Sequence, residues 1–294
     1  MRYNSKVMQH IDQQEWISEI RPKTSLFALN LKEVWDYRDL LLIFVKRDIT
    51  TVYKQTVLGP LWFFIQPLFT TITFTIMFNN LAGISTGTIP AFLFNMSGLV
   101  VWSYFTTCLN ATSNTFTGNA AIFGKVYFPR LVVPLSLIFS NLLKFSIQML
   151  LFVAFYIYFY SKGAPLSFNI MTPFFPVLVL LLGILGLGLG MLVSSVVTKY
   201  RDFSQLIAFG VQLLMYGSAV MYPMSLIQEK IPEYAYLVKY NPLAYFIETS
   251  RYMLLNIGEV SVFGIVYSIS FIIVIFFAGL IMFNKTEKSF IDTV

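Results

Sequence analysis

Lys144 sits inside a long apolar run, with Asn141 and Gln148 three and four positions away on the same face of a helix. Burial disfavours the charged form of an amine. Such a face either contacts an anionic substrate group, or holds a lysine that hydrogen-bonds to neighbouring helices or reaches a wet cavity. Two other stripes mix amides, hydroxyls and aromatic rings at offsets of three and four: Trp62, Gln66, Thr70 and Thr73, and then Gln205, Phe209, Gln212 and Tyr216. Polar stripes of this kind avoid lipid and face a cavity or a partner helix. Aromatic faces against C–H surfaces, with amides on hydroxyls, are how sugars are held, and the lack of charge suits a path along which a polymer slides. Ordinary interhelical hydrogen bonding is the alternative reading.

Other chemistries are excluded by what is missing. No Asp or Glu occurs between Asp48 and Asp202, whereas proton- or sodium-coupled carriers need ionisable groups within the membrane. The same absence removes hydrolysis by paired carboxylates. The single histidine, His10, lies in a polar leader, and the single cysteine, Cys108, has no intrachain partner, so metal clusters and structural disulfides are out. The segment GNAAIFGK, Gly118 to Lys125, approaches a phosphate-binding loop. It has five residues between its glycines and Val126 where Ser or Thr should follow, so we read it as a chance match. The chain has no room for a nucleotide-binding domain; ATP-driven work would need a separate subunit.

The elements that position these residues are membrane helices. Of 294 residues 57% are hydrophobic and 12% charged, and the mean hydropathy is +0.71, against about 25% charged in soluble domains. Six apolar stretches are long enough to span, near 58–79, 91–113, 131–160, 170–197, 203–223 and 260–283. They are continuous runs without the alternation of a membrane barrel, so the expected fold is all-α and polytopic. Residues 1–30 lack the apolar core of a signal peptide and form a polar leader. Fifteen of the twenty Lys and Arg fall in the leader, the following helix, the loops near 118–130 and 198–202 and the tail. That bias places both termini in the cytoplasm, and the net charge of +6 reports topology, not nucleic-acid binding.

Two segments are not spans. Residues 31–57 place Leu31, Val34, Leu41, Val45, Ile49 and Val52 at helical spacing among charges, which predicts an amphipathic interfacial helix, or else a soluble helix packed on another protein. Residues 224–258, flanked by Pro223 and interrupted by Pro232 and Pro242, are too polar to span and predict short helices dipping into the outer leaflet. Gly183, Gly186, Gly188 and Gly190 in the fourth stretch predict close helix packing, with a hinge as the alternative.

Several segments together resemble the membrane permeases of ABC exporters for O-antigen and related cell-surface polysaccharides. They are RDITTVYKQTVLGPLWFFIQPL from Arg47, GNAAIFGKVYFPRLVVPLS from Gly118, KYRDFSQ from Lys199, MYPMS from Met221, YNPLAYFIETSRYMLL from Tyr240 and EKSFIDTV from Glu287. The resemblance covers residue 26 onward. It implies a homodimer in the bacterial inner membrane with two ATP-hydrolysing subunits that hold ATP and Mg, moving a lipid-linked polysaccharide from cytoplasm to periplasm, with no cofactor in this chain. It implies an interfacial gate helix through Arg47, Tyr53 and Lys54, and a permease domain over 58–294. Coupling to the ATPase falls to the loop 118–130, through Phe123, Lys125, Tyr127, Phe128 and Arg130, and to Lys199, Tyr200, Arg201 and Asp202. Pro223, Asn241 and Pro242 mark an outer gate, and the stripes on spans one and five flank the path. At Lys144, where the family often carries a carboxylate, the resemblance assigns no role. A permease of the same fold exporting teichoic acid, another lipid or a small molecule is the nearest alternative. A membrane enzyme of glycan synthesis is a further one.

Overall fold

The computed structural model describes residues 31–54, 57–167, 169–258 and 260–290. The polar leader, residues 1–30, and the last four residues of the tail lie outside the described residues. Among the described residues every regular element is helical. In chain order these are α1 (Leu31–Asp36), α2 (Arg38–Tyr53), α3 (Trp62–Phe74), α4 (Ala91–Ser113), α5 (Thr115–Phe123), α6 (Val132–Ser161), α7 (Phe175–Lys199), α8 (Phe203–Tyr216), α9 (Met224–Lys230), α10 (Ala235–Lys239), α11 (Pro242–Leu255) and α12 (Val262–Phe290). Five helical segments are long and apolar enough to cross a membrane: Gly59–Leu81, Ala91–Ser113, Val132–Ser161, Thr172–Lys199 and Val262–Lys288.

α4 and α7 form the buried centre, and their residues fill the main apolar core. They run parallel, because Gly183 faces Tyr104, Gly186 faces Cys108 and Gly190 faces Thr112. A Cβ on Gly186 would stand 2.7 Å from the Cβ of Cys108, and one on Gly188 would stand 2.9 Å from Phe276 Cα of α12. The glycines of α7 therefore let two helix backbones approach from different sides, which is the packing role their spacing predicts. α11 is buried along nearly its whole length and packs on α4, α7 and α12. α3 carries Pro67 inside it and continues into a wider π-helical turn at Thr75–Leu81. The buried Asn95 of α4 holds that turn, donating to Thr75 Oγ1 at 3.1 Å and Asn79 Oδ1 at 2.7 Å.

The fifth apolar stretch departs from its expected length. α8 has 14 residues, which at about 1.5 Å per residue spans roughly 21 Å of a hydrocarbon core about 30 Å thick. Its helix stops because other groups take over its backbone. Asn241 Nδ2 donates to Gly217 O at 2.8 Å. Arg251 donates to the carbonyls of Ala219 at 2.7 Å, Val220 at 2.5 Å and Tyr222 at 3.2 Å. Ala219 turns the chain with φ +52°, a conformation that a fold tolerates only when the surroundings fix it.

The amphipathic helix is two helices broken at Tyr37. Val34, Phe44 and Val45 are buried, Leu41 and Ile49 are half-buried, and α2 lies against α6. Trp35, Leu42 and Ile43 remain exposed on the other side, so this element presents apolar residues to its surroundings as well as to the core.

Candidate functional site

At one end of the bundle an aromatic bracket joins four elements. Phe44 of α2 lies 5.8 Å from Phe128, Phe128 lies 5.6 Å from Phe123, and Phe116 stacks on Phe283 of α12 at 4.6 Å between ring centroids. The Arg130 guanidinium sits 5.2 Å over the Phe123 ring and donates to Glu287 O at 3.1 Å. Burial pushes its pKa below the ordinary arginine value, and the Glu287 carboxylate opposes that shift. The loop expected to couple is thus divided. Phe123, Phe128 and Arg130 are buried and brace it, whereas Lys125, Val126 and Tyr127 project outward, Tyr127 being 63% exposed. In the neighbouring turn Lys199, Tyr200, Arg201 and Asp202 are all exposed, with Lys199 Nζ 5.1 Å over the Tyr200 ring. On α2, Arg47 pairs with Asp48 at 2.8 Å and covers Phe44 at 4.8 Å, while Lys54 is exposed. Tyr53 ends α2.

The break after α8 draws the proline-marked residues together. Pro223 precedes α9, and Pro242 takes the first position of α11, where its missing N–H costs nothing. Asn241 caps α11 by accepting from Leu243 N at 3.0 Å, and its Nδ2 also reaches Ser218 Oγ at 2.9 Å. The residues that dominate this site are ones sequence reading missed. Arg251, fully buried, spreads its guanidinium across three carbonyls of the break, lies 3.9 Å over Phe94 of α4, and approaches Glu248 Oε2 at 3.5 Å. Gly98 makes room for it: a Cβ there would fall 2.6 Å from Val220 O. The available signal was Glu248 and Arg251 at a helical spacing of three, the two charged residues of a segment, 240–255, that is otherwise uncharged.

The stripes on α3 and α8 are left largely uncovered by the chain itself. Trp62, Gln66 and Thr73 of α3 are exposed, as are Gln205, Phe209, Gln212 and Tyr216 of α8. Thr70 is half-buried and gives its hydroxyl proton to Gln66 O at 2.8 Å. Gln66 and Thr70 turn toward a cavity of about 370 Å3 that Asn141, Lys144 and Gln148 of α6 also line, with Ser103, Thr106 and Thr107 of α4. Two of the clusters read from sequence therefore meet in one place. Trp62, Thr73 and the α8 stripe lie outside it, and Met215 is the only residue α8 contributes to its wall.

An all-helical bundle with five helical segments long and apolar enough to cross a membrane fits a multi-pass membrane protein. Residues 39–255 match the family described as ABC-2 type transporter, and the chain belongs to it. It is a type-2 ABC exporter permease, and membership implies an ATPase partner. The chain is 28% identical over 258 residues to the O-antigen export system permease protein RfbA of Klebsiella pneumoniae, covering 86% of this chain and 94% of that one. A second Klebsiella pneumoniae protein of the same name is 27% identical over 256 residues, again 86% and 94% of the two chains. The RfbA permease of Myxococcus xanthus is 26% identical over 200 residues, 68% of this chain and 74% of that one.

Proposed function

We propose that this chain is the channel-forming subunit of an ATP-driven exporter that moves a lipid-linked, O-antigen-like polysaccharide from cytoplasm to periplasm across the bacterial inner membrane. Two copies assemble with two nucleotide-binding subunits, which hydrolyse ATP. The observation that carries this reading is the pair of uncovered, uncharged faces on α3 and α8, Trp62, Gln66 and Thr73 on the first and Gln205, Phe209, Gln212 and Tyr216 on the second. Brought together from two copies, they form a hydrogen-bonding, aromatic-lined path. The relatives' names support export of a surface glycan.

In this reading α8 is the fifth of six spans and both termini are cytoplasmic. α9, α10 and α11 form a reentrant outer gate around Pro223, Asn241 and Pro242. The partner docks on Lys125 and Tyr127 and on Lys199 to Asp202, with Phe123, Phe128 and Arg130 holding the docking loop in shape. α2, through Arg47, Tyr53 and Lys54, is the interfacial gate. ATP-dependent closure of the partners biases a two-state bundle from outside.

The test is purification of the chain from its native host in mild detergent. A stoichiometric ATPase subunit is the expected companion, and deletion of the gene should leave lipid-linked glycan on the cytoplasmic side. A chain that purifies alone even after crosslinking would overturn the assignment.

A further inference from the structure

The boundary between α2 and α6 carries charge of opposite sign on its two sides. α2 hangs between two bends, the break at Tyr37 and the turn at Gly59, whose φ of +48° favours glycine. Its position therefore depends on what its flank meets, and that flank lies against α6. Phe44 and Val45 are buried on it, and Asp48, four and three positions further on, shares their face. Asp48 Oδ1 accepts from Arg47 Nε at 2.9 Å. Its other oxygen, Oδ2, is buried without a hydrogen-bond partner. Such an oxygen costs free energy unless a cation or a donor answers it.

The cation comes from the middle of a span. Lys144 of α6 is half-buried, and no Asp or Glu lies in the sequence between Asp48 and Asp202. Among the described residues the carboxylate that acts on its ammonium is Asp48. Lys144 Nζ donates to Asn141 Oδ1 at 3.2 Å, which leaves two of its three protons for another acceptor. Asn141 is 3% exposed and faces the Cys108 thiol of α4, so the ammonium is anchored to the core through its own helix. The two charges attract across the boundary but stand too far apart for a direct ion pair. Away from water such attraction is strong, and the spare protons and the open Oδ2 are what a direct pair would use. We propose that Lys144 is a positioning residue for α2: its ammonium and the Asp48 carboxylate form a charge latch that holds α2 on α6. Only the consequence for transport, that the latch sets how readily the gate helix yields, rests on the exporter reading.

Val45→Cys places a reporter on the packed face of α2, three positions before Asp48. The natural Cys108, fully buried in the core, serves as the clock for global opening in the same molecule. The full chain in detergent is reacted with a fluorescent maleimide, and both positions are followed by peptide mapping. Lys144→Met and Asp48→Asn should each speed labelling at position 45 about tenfold, the size of a partly buried charge pair, and leave Cys108 slow. The double variant should label no faster than either single, since one interaction is lost only once, and Lys144→Arg should keep the slow rate. An unchanged rate in Lys144→Met, accelerations that multiply in the double variant, or equal acceleration of Cys108 would overturn the latch. If Lys144→Met does not fold, Asp48→Asn is compared with Arg47→Gln, which breaks the neighbouring pair alone. A larger effect of Asp48→Asn upholds the latch, and an equal one assigns the hold to Arg47 and overturns it. The assay contains neither ATPase partner nor glycan, so its failure leaves the exporter reading standing, and loss of that partner leaves the latch standing.

Discussion

Arg251 shows how a single side chain can replace a stretch of helix. Burying a guanidinium is costly unless its donors are matched, and here the two terminal nitrogens are matched by three backbone carbonyls of the break that follows α8. Replacing it with methionine removes these donors and leaves Glu248 without its cationic neighbour. Arg251→Met should destabilise the chain by about 3–5 kcal/mol, read as a lower unfolding temperature in detergent; Arg251→Lys should restore only part of this, since an ammonium cannot span the same carbonyls. An unchanged Tm for Arg251→Met would show that the break forms without it. At the other end of the bundle, burial separates two kinds of residue that sequence treats alike. Phe128 is 5% exposed and Tyr127 is 63% exposed. Phe128→Ala should cost about 3–5 kcal/mol of stability. Tyr127→Ala, like other surface changes, should stay within about 0.5 kcal/mol while reducing stimulation of the ATPase partner. Loss of partner coupling in neither variant would remove this loop from the docking surface.

Among the elements, α4, α6, α7 and α12 were readable because each is an apolar run closed by proline, glycine or charge. Pro90 precedes α4, Pro129 and Arg130 precede α6, Lys199 ends α7, and Lys285 and Lys288 mark the end of α12. The stop of α8 was not readable, because the groups that end it, Asn241 and Arg251, lie 24 and 32 residues away from their acceptors at Gly217 and Ala219. The tie from Asn95 to the π-helical turn was hidden for the same reason. Of the candidate site, the helical spacing of Asn141, Lys144 and Gln148 was plain, but their meeting with Gln66 and Thr70 depends on how α3 and α6 pack, which periodicity within one helix does not encode. The glycines of α7 were readable as a packing face, though not that they serve two partners. Gly188 meets α12 where Gly279 returns the contact, so Gly188→Leu must push apart two backbones. Overpacking alone costs about 1–3 kcal/mol, and backbone displacement adds to that. Gel filtration should show Gly188→Leu losing its monodisperse peak while Gly210→Leu, where a Cβ meets nothing within 4 Å, keeps it.

For the whole molecule, the decisive contrast is between helices that lipid alone satisfies and helices that it does not. The exposed residues of α6 include Phe139, Leu143, Leu150, Val153 and Ile157, and hydrocarbon is a sufficient neighbour for all of them. α8 exposes Gln205 and Gln212 beside Phe209 and Tyr216, and an amide facing hydrocarbon is costly. The proposed dimer resolves that cost by turning α3 and α8 toward the second copy and the water it encloses, leaving α6 toward lipid. Cysteine crosslinking in native membranes tests this arrangement, because the one natural cysteine, Cys108, is fully buried and contributes little background. Gln212→Cys and Phe209→Cys should give a covalent dimer with a short bis-maleimide, and Leu150→Cys on α6 should not. A dimer from Leu150→Cys with none from Gln212→Cys would place the interface on the opposite side of the bundle. The polar stripe of α8 would then need another neighbour, and the path drawn along it would be lost with the interface.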